Sequence, residues 1–313
     1  MQETVSAEPV FEERFARLPN GIELCYDVRG EGSPILLVMG IGAQLIFWPE
    51  EFCDRLAERG HRVIRFDHRD VGRSTWLDDA GVPPLGPTLL GALVGRRVAA
   101  PYALEDMAGD VAGLLDVLDI DSAHVVGVSM GGMIAQTMAI THPHRMRSLT
   151  SIMSTTGRPT PFISDPRALR ALFSNPPRTR EQAQDHAQRF WTAIGSTGFE
   201  IDVREVRARA GAAWDRGSNP KGFLRHLAAI GATGDRTSRL RFVRMPTQVI
   251  HGTVDPLLRP IGGRWTAEAI DGARLTMIEG MGHDLPRGVW PRLLDMIDSL
   301  AARADAESRT SRG

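Results

Sequence analysis

The stretch HVVGVSMGGM, from His124 to Met133, constrains this chain more than any other. It begins as a buried strand does, with the β-branched apolar residues Val125, Val126 and Val128. It then sets Ser129 between Gly127 and Gly131, with Gly132 just beyond. Glycine weakens a strand and marks a bend or a close backbone approach, so a strand alone does not account for the pattern. Strand, Gly-x-Ser-x-Gly, then helix is a nucleophile elbow, a turn so tight that the serine takes a strained conformation and its neighbours two residues away must be small. The strain lifts the hydroxyl clear of the sheet, at the positive N-terminal end of the next helix. The same pentapeptide occurs in ordinary glycine-rich turns; the predicted strand–turn–helix context favours the catalytic reading.

Apolar runs and helical patterns alternate on both sides of this motif. RFARLPNGIELCYDVRG reads as a hairpin turning at Asn20-Gly21, and PILLVMG (Pro34–Gly40) as a continuous apolar strand. A helix is predicted over Trp48–Gly60, a strand in HRVIRFDH, and a helix over Tyr102–Ile120 from the spacing of Leu104, Met107, Val111, Leu114, Leu115 and Leu118. Met130–Thr141 reads as a helix and SLTSIMST as a strand. From Gly157 to Arg241 the patterns are helical, with no clear strand. βα order resumes with PTQVIHG (Pro246–Gly252), a helix near Ile261–Ile270, the strand ARLTMIEG and a last helix through Leu300. This alternation predicts an α/β fold: a mostly parallel, doubly wound sheet with helices on both faces and a helical insertion between two strands. Residues 11–156 and 244–303 are expected to form the two parts of the core and 157–243 the insertion. Residues 1–10 and 304–313 are polar and expected to be disordered tails.

A serine hydroxyl is a poor nucleophile until a base takes its proton, and the base needs an acid to orient it. Nine histidines compete for the role of base. His68, His142, His144 and His186 fall in exposed or turn-like contexts. His124 opens the nucleophile strand at the wrong end of the sheet, and His251 ends a strand where packing is the expected role. His283, in EGMGHDLP just past ARLTMIEG, emerges at the carboxyl edge, as Ser129 does, and ligands gather at that edge in open α/β sheets. The acid is expected from the same edge, between serine and histidine in the chain. Asp255, in IHGTVDPLLRP, meets that order, although an Asp before Pro is also a common turn former. Asp284 reads as a loop cap and Asp165 as the reserve acid. Two backbone N–H groups are expected to face a developing oxyanion: that of Met130, next after the nucleophile, and that of Ile41 in MGIGAQ, where glycines let backbone approach a ligand. A plain strand-to-loop turn is the alternative for Ile41.

Composition narrows the function classes. Hydrophobic residues make up 42% and charged residues 24%, with a formal net charge of −1. That balance gives no reason to expect nucleic acid or an anionic membrane as partner. Cys25 and Cys53 are too few for a disulfide framework and read as buried thiols in a reducing compartment. The acidic N-terminus lacks the apolar core of a signal peptide, and the longest apolar run, Leu89–Val94, is far too short to span a bilayer. A cytoplasmic protein without stable membrane association is expected. No His/Cys/Asp cluster has metal-ligand spacing, so neither metal nor cofactor is expected.

Taken together, GVSMGG, GTVDPLLRP, GMGHDLP and RFDHRDVGRS resemble the α/β-hydrolase superfamily over nearly the whole ordered chain. LLVMG is similar to the aclacinomycin methylesterase branch and to actinobacterial esterase or lipase-like proteins. In that branch the residue after MG supplies the oxyanion N–H, which maps to Ile41. Two positions depart from the common pattern: Asp70 stands where the family usually has Gly, and Met39 where many members have His. The resemblance implies that the insertion is a cap. It also implies hydrolysis of a small or medium carboxylic ester through an acyl-enzyme on Ser129, without cofactor. Thioester, amide or C–C bond hydrolysis, perhydrolysis, and ligand reception without catalysis remain open, because the fold hosts many chemistries.

The insertion carries aromatic residues, of which Trp191 and Trp214 are the first candidates to line an apolar substrate pocket. Its arginines, among them Arg158, Arg167, Arg170, Arg178, Arg204, Arg207 and Arg225, are expected mostly at the surface, with one or two in reach of an acidic ester. The long link Gly81–Pro101 reads as a mobile flap over the cleft or as an apolar surface loop.

Overall fold

The computed structural model describes residues 12–84, 86, 98–160 and 164–310. Its strands are β1 (Arg14–Arg17), β2 (Glu23–Arg29), β3 (Ser33–Val38), β4 (His61–Phe66), β5 (Ala123–Val128), β6 (Met146–Ile152), β7 (Thr247–Gly252) and β8 (Arg274–Ile278). They form one eight-stranded sheet in the order β1-β2-β4-β3-β5-β6-β7-β8. The first two pairings are antiparallel and the other five parallel. β1 and β2 are the expected hairpin, with Arg17 opposite Glu23 and Gly21 at φ 84°.

Every residue of β5 is buried, because side chains on alternate sides of a strand face helices on both faces of the sheet. Val125 joins a core with residues of α2 (Leu104–Val117) and α3 (Met130–Thr141). Val126 and Val128 join a second core with residues of α1 (Glu50–Ala57) and α10 (Trp290–Thr310). β3 lies between β4 and β5, so the winding reverses there. The crevice at such a switch point is where open α/β sheets bind ligands, and the loops after β3 and β5 meet in it.

Residues 304–310, expected to be a disordered tail, instead continue α10 to Thr310. The buried stripe Leu293, Leu294, Ile297, Leu300, Ala301 runs on to Ala304. The next residue, Asp305, accepts a hydrogen bond from Ser33 Oγ at 2.8 Å and lies 3.3 Å from His124 Nε2 and 3.4 Å from Arg147 Nη1. A polar sequence is thus held by partners at the amino ends of the strands. The expected tail over 1–10 lies outside the described residues.

Between β6 and β7 the described chain is all helical: α4 (Pro166–Leu172), α5 (Arg180–Ile194), α6 (Val203–Arg216), α7 (Pro220–Thr233) and α8 (Thr237–Leu240). The last element before β8 is α9 (Ile261–Ala269). Among the described residues no helix is long and apolar enough to cross a membrane. The inserted helices dock through buried charge. Arg225, grouped from the sequence with surface arginines, is fully buried. Its Nη2 and Nε donate to Asp70 Oδ1 and Oδ2 at 2.6 and 2.8 Å, and Tyr102 Oη donates to Oδ2 at 2.7 Å. Burial alone would raise the Asp70 carboxyl, but these bonds and the Arg225 charge hold it below the usual range. Asp70 sits at φ 68°, a region that favours glycine; the chain accepts that strain in exchange for a buried anchor.

Removing one partner of a buried pair leaves an uncompensated charge. Asp70→Gly should therefore destabilise the protein by about 2–4 kcal/mol, even after relief of roughly 1 kcal/mol of backbone strain. Adding Arg225→Met should recover most of the loss. Urea unfolding of the single and double variants measures both changes, and a neutral Asp70→Gly would refute the anchor.

Candidate active site

The glycines around Ser129 are required by contact. A Cβ on Gly127 would lie 2.2 Å from the Gly131 carbonyl oxygen, and one on Gly131 would lie 2.1 Å from that of Val38. Real side chains do not approach backbone so closely, so α3 can start directly on top of β3 and β5 only with hydrogen at both positions. Ser129 takes the strained conformation φ 54°, ψ −120°. It is held on both sides of the peptide: its N–H donates to Ile152 O at 3.0 Å, and its carbonyl accepts from Ser154 Oγ at 2.8 Å.

Two loops at the same edge bring side chains to that hydroxyl. His283, between β8 and α10, places Nε2 3.0 Å from Ser129 Oγ. Its Nδ1 lies 2.7 Å from Asp255 Oδ2, in the loop after β7. A carboxylate only accepts, so Nδ1 carries the ring proton and Nε2 is left to accept from the serine. The other Asp255 oxygen accepts from the N–H groups of Leu257 and Leu258, each at 2.9 Å. Burial would raise the Asp255 carboxyl. The His283 charge and the hydrogen bonds from His251 and His283 outweigh it and bring the group down to about 2, so it is an anion at neutral pH.

The other candidates lie elsewhere or do other work. His251 is buried, and its Nε2–H points between Leu258 O at 2.7 Å and Asp255 Oδ2 at 3.3 Å. It packs, as its place at a strand tip suggests, but it also supports the acid. Asp165 caps α4, accepting from Arg167 N–H at 2.8 Å. Asp284 accepts from Ser196 Oγ at 2.5 Å. His68, expected in an exposed or turn-like context, does open a turn, with Val71 N–H donating to its carbonyl at 3.1 Å, but it is buried and donates from Nε2 to Met39 O at 2.9 Å. It lies edge-on to Phe66, which fills the space that a turn residue would leave to solvent.

Met130 is the first residue of α3, and its N–H has no intrahelical acceptor. Gly40, just before Ile41, packs on the serine: a Cβ there would lie 3.4 Å from Ser129 Cβ. The loop carrying Ile41 is gripped by the inserted helices. Gly42 N–H donates to His226 Nδ1 at 3.3 Å, and Gln44 Nε2 donates to Ala213 O and Gly217 O, both at 2.8 Å. The sequence carries no signal for these contacts, since the partners are about 170 to 180 positions apart, and two of the three acceptors are backbone carbonyls.

Above Ser129 and His283 opens a cavity of about 1220 Å³. Phe173, Phe190, Trp191, Trp214 and Phe223 all line it. Trp191 also packs beside Phe190, Ala168, Ile194 and Leu257, so it belongs to the core of the insertion as well as to the cavity wall. The suggested flap falls largely on residues 85 and 87–97, outside the described residues. Among the described residues no group of three or more His, Cys, Asp or Glu could hold a metal ion.

A family model described as alpha/beta hydrolase fold matches residues 33–286. The chain belongs to the α/β-hydrolase family. Within it, a similar protein is rhodomycin D methylesterase of Streptomyces peucetius, 30% identical over 281 residues that cover 82% of this chain and 87% of the relative. Two solved α/β-hydrolase structures share the fold. The enol-lactonase from Burkholderia xenovorans is 24% identical, with TM-score 0.70, over 92% of this chain and all of that one. A thermophilic esterase from Thermogutta terrifontis is 22% identical, with TM-score 0.63, over 96% of this chain and 98% of the other.

The elbow contacts predict a contrast between two glycines. Gly131→Ala should cost at least about 3 kcal/mol or prevent folding, since backbone cannot give way as a side chain can. Gly109→Ala, in α2 with open space around its Cβ, should be neutral or stabilise by up to about 1 kcal/mol. Thermal unfolding of both variants checks the difference; equal melting temperatures would contradict it.

Proposed function

We propose that this carboxylic ester hydrolase works through an acyl-enzyme on Ser129, with His283 as base and Asp255 as its orienting acid. The observation that carries the reading is the continuous chain Asp255 Oδ2, His283 Nδ1, His283 Nε2, Ser129 Oγ, with gaps of 2.7 and 3.0 Å, which starts at a buried carboxylate and ends at the cavity. His283 Nε2 takes the hydroxyl proton as Oγ attacks the ester carbonyl. The imidazolium that forms is stabilised by the Asp255 anion. The N–H groups of Met130 and Ile41 receive the oxyanion. Collapse breaks the bond to the alcohol oxygen, which leaves with the proton from His283. Water, activated by the same nitrogen, then releases the acid and restores Ser129.

The cavity bears on the substrate. Pockets for drug-sized ligands run to about 1,000 Å³, and this one, at about 1220 Å³, has room for more than the small or medium ester expected from the sequence. A bulky, largely apolar acid esterified with a small alcohol fits that volume. The methylesterase activity in the name of the Streptomyces peucetius relative supports a methyl ester.

Ser129→Ala should keep the fold and lower ester turnover by about 10⁴-fold or more. A fluorophosphonate should label the wild type at Ser129 and leave the variant unlabelled; a folded Ser129→Ala with normal turnover would overturn the assignment. Substituting Trp214 or Trp191 by Ala should re-rank a series of methyl and p-nitrophenyl esters. The expected changes in kcat/KM between neighbouring substrates are roughly tenfold to 200-fold. Melting temperature, read alongside, separates lining from packing: a lower value with an unchanged ranking would place that tryptophan in the core of the insertion alone.

A further inference from the structure

His283 is not held in place by the sheet and its loop alone. The cap contributes the segment Ile194–Phe199, which joins α5 to α6, and this segment lies against Gly280–Asp284. The contact is backbone on backbone. A Cβ on Gly282 would lie 2.3 Å from the Gly195 carbonyl, and one on Gly198 would lie 2.8 Å from Gly280 Cα. Thr197 N–H and Gly198 N–H both donate to Gly280 O, at 3.0 and 2.9 Å. The backbone N–H of His283 itself donates to Ile194 O at 2.8 Å.

One side chain completes the joint. Ser196 is buried. Its hydroxyl accepts from Gly282 N–H at 3.0 Å and donates to Asp284 Oδ1 at 2.5 Å. A single hydroxyl thus binds the residue before His283 and the residue after it. The hydroxyl uses its donor on a carboxylate and one acceptor site on an amide, so neither bond competes with the other.

We infer that Ser196 is a positioning residue for His283, and that the cap segment Ile194–Gly198 is a built part of the catalytic machinery as well as a cover. The inference rests on the assignment of His283 as base. Its consequence is mechanical. The α5–α6 joint cannot lift from the core without drawing His283 away from Ser129, so a substrate enters at another side of the cap. Removing the hydroxyl leaves the amide of Gly282 and the carboxyl of Asp284 without this partner, and the ring gains freedom about its place 3.0 Å from Ser129 Oγ. Misplacement of a catalytic group by about 1 Å costs on the order of 10²-fold in rate.

The test uses the full chain, p-nitrophenyl butyrate as probe, and three variants: Ser196→Ala, Ser196→Thr and Asp284→Leu. Ser196→Ala should lower kcat by about tenfold to a hundredfold and leave KM within about twofold, because no substrate contact is lost. Ser196→Thr, which keeps the hydroxyl, should restore most of the rate. A second readout needs no substrate. The His283 Nδ1 proton, bonded to Asp255, should give a far-downfield proton resonance that Asp255→Asn removes. Ser196→Ala should broaden or abolish that resonance while the melting temperature changes little. Should Ser196→Ala not fold, Asp284→Leu removes the carboxylate half of the bridge and should likewise lower kcat and broaden the resonance; KM is no readout for that variant, because Asp284 also lines the cavity. A wild-type kcat and an unchanged resonance in the Ala variant, or equal rates in the Ala and Thr variants, would overturn the inference. A wild type that turns over no ester would instead strike the proposed function, and the resonance would still decide whether Ser196 holds the ring.

Discussion

The absence of any atom beyond hydrogen on Gly127 and Gly131 is the constraint on which the site depends. It lets the first turn of α3 sit on the carbonyls of Val38 and Met39 at distances that exclude a Cβ. That contact forces Ser129 to φ 54° and leaves its hydroxyl above the sheet. Strain of this kind costs of order 1–3 kcal/mol and persists only where the surroundings over-determine it. Here the bonds to Ile152 O and from Ser154 Oγ do so. The same approach places the Met130 amide, which has no intrahelical acceptor, beside the serine, so the raised hydroxyl and that N–H arise from a single packing event.

Each remaining part of the site is held in two layers. Asp255 is fixed by two backbone amides of its own loop and by His251, and its carboxylate then fixes the imidazole. The loop bearing Ile41 is fixed by His68 from beneath and by His226 and the backbone at Ala213 and Gly217 from above. Arg216, at the end of α6, reaches both Gln44 Oε1 at 2.9 Å and Asp67 Oδ2 at 2.8 Å, and so ties that loop to the end of β4. Buried pairs of this sort add little net stability against apolar packing but are costly to break singly. Their value here is to set one relative position for cap and core. A cavity roofed by aromatic side chains can then exclude water while its floor keeps a fixed geometry.

Much of this was legible in the chain. The strands are apolar runs with turn residues at their ends, and local pattern is enough to find them because both faces of the sheet are buried. Ser129 announces itself, since flanking glycines have no packing use in a strand. His283 and Asp255 follow from topology: once the strands are parallel, residues just past strand ends share one edge. What local pattern missed were residues whose role depends on partners far along the chain. His68 read as exposed or turn-like, yet it is buried, edge-on to Phe66 and bonded to Met39 O. Residues 304–310 looked disordered because they are polar, yet Asp305 meets Ser33, His124 and Arg147. Arg225 looked like one more surface cation, though Asp70, some 155 positions earlier, neutralises it.

The sequence by itself determined the elbow, the order Ser129, Asp255, His283, and the alternation that makes a doubly wound sheet, because each is a statement about local backbone geometry and strand direction. Only the tertiary structure decided how the cap meets the core: which arginine is buried, which histidine holds the Ile41 loop, and that the hydroxyl of Ser196 spans the residues on either side of His283. Those contacts join segments with no fixed spacing and no periodic signature. A serine after a glycine in a helix connection has the same local propensities whether it faces water or the loop that carries His283, and only its burial against Gly282 and Asp284 distinguishes the two.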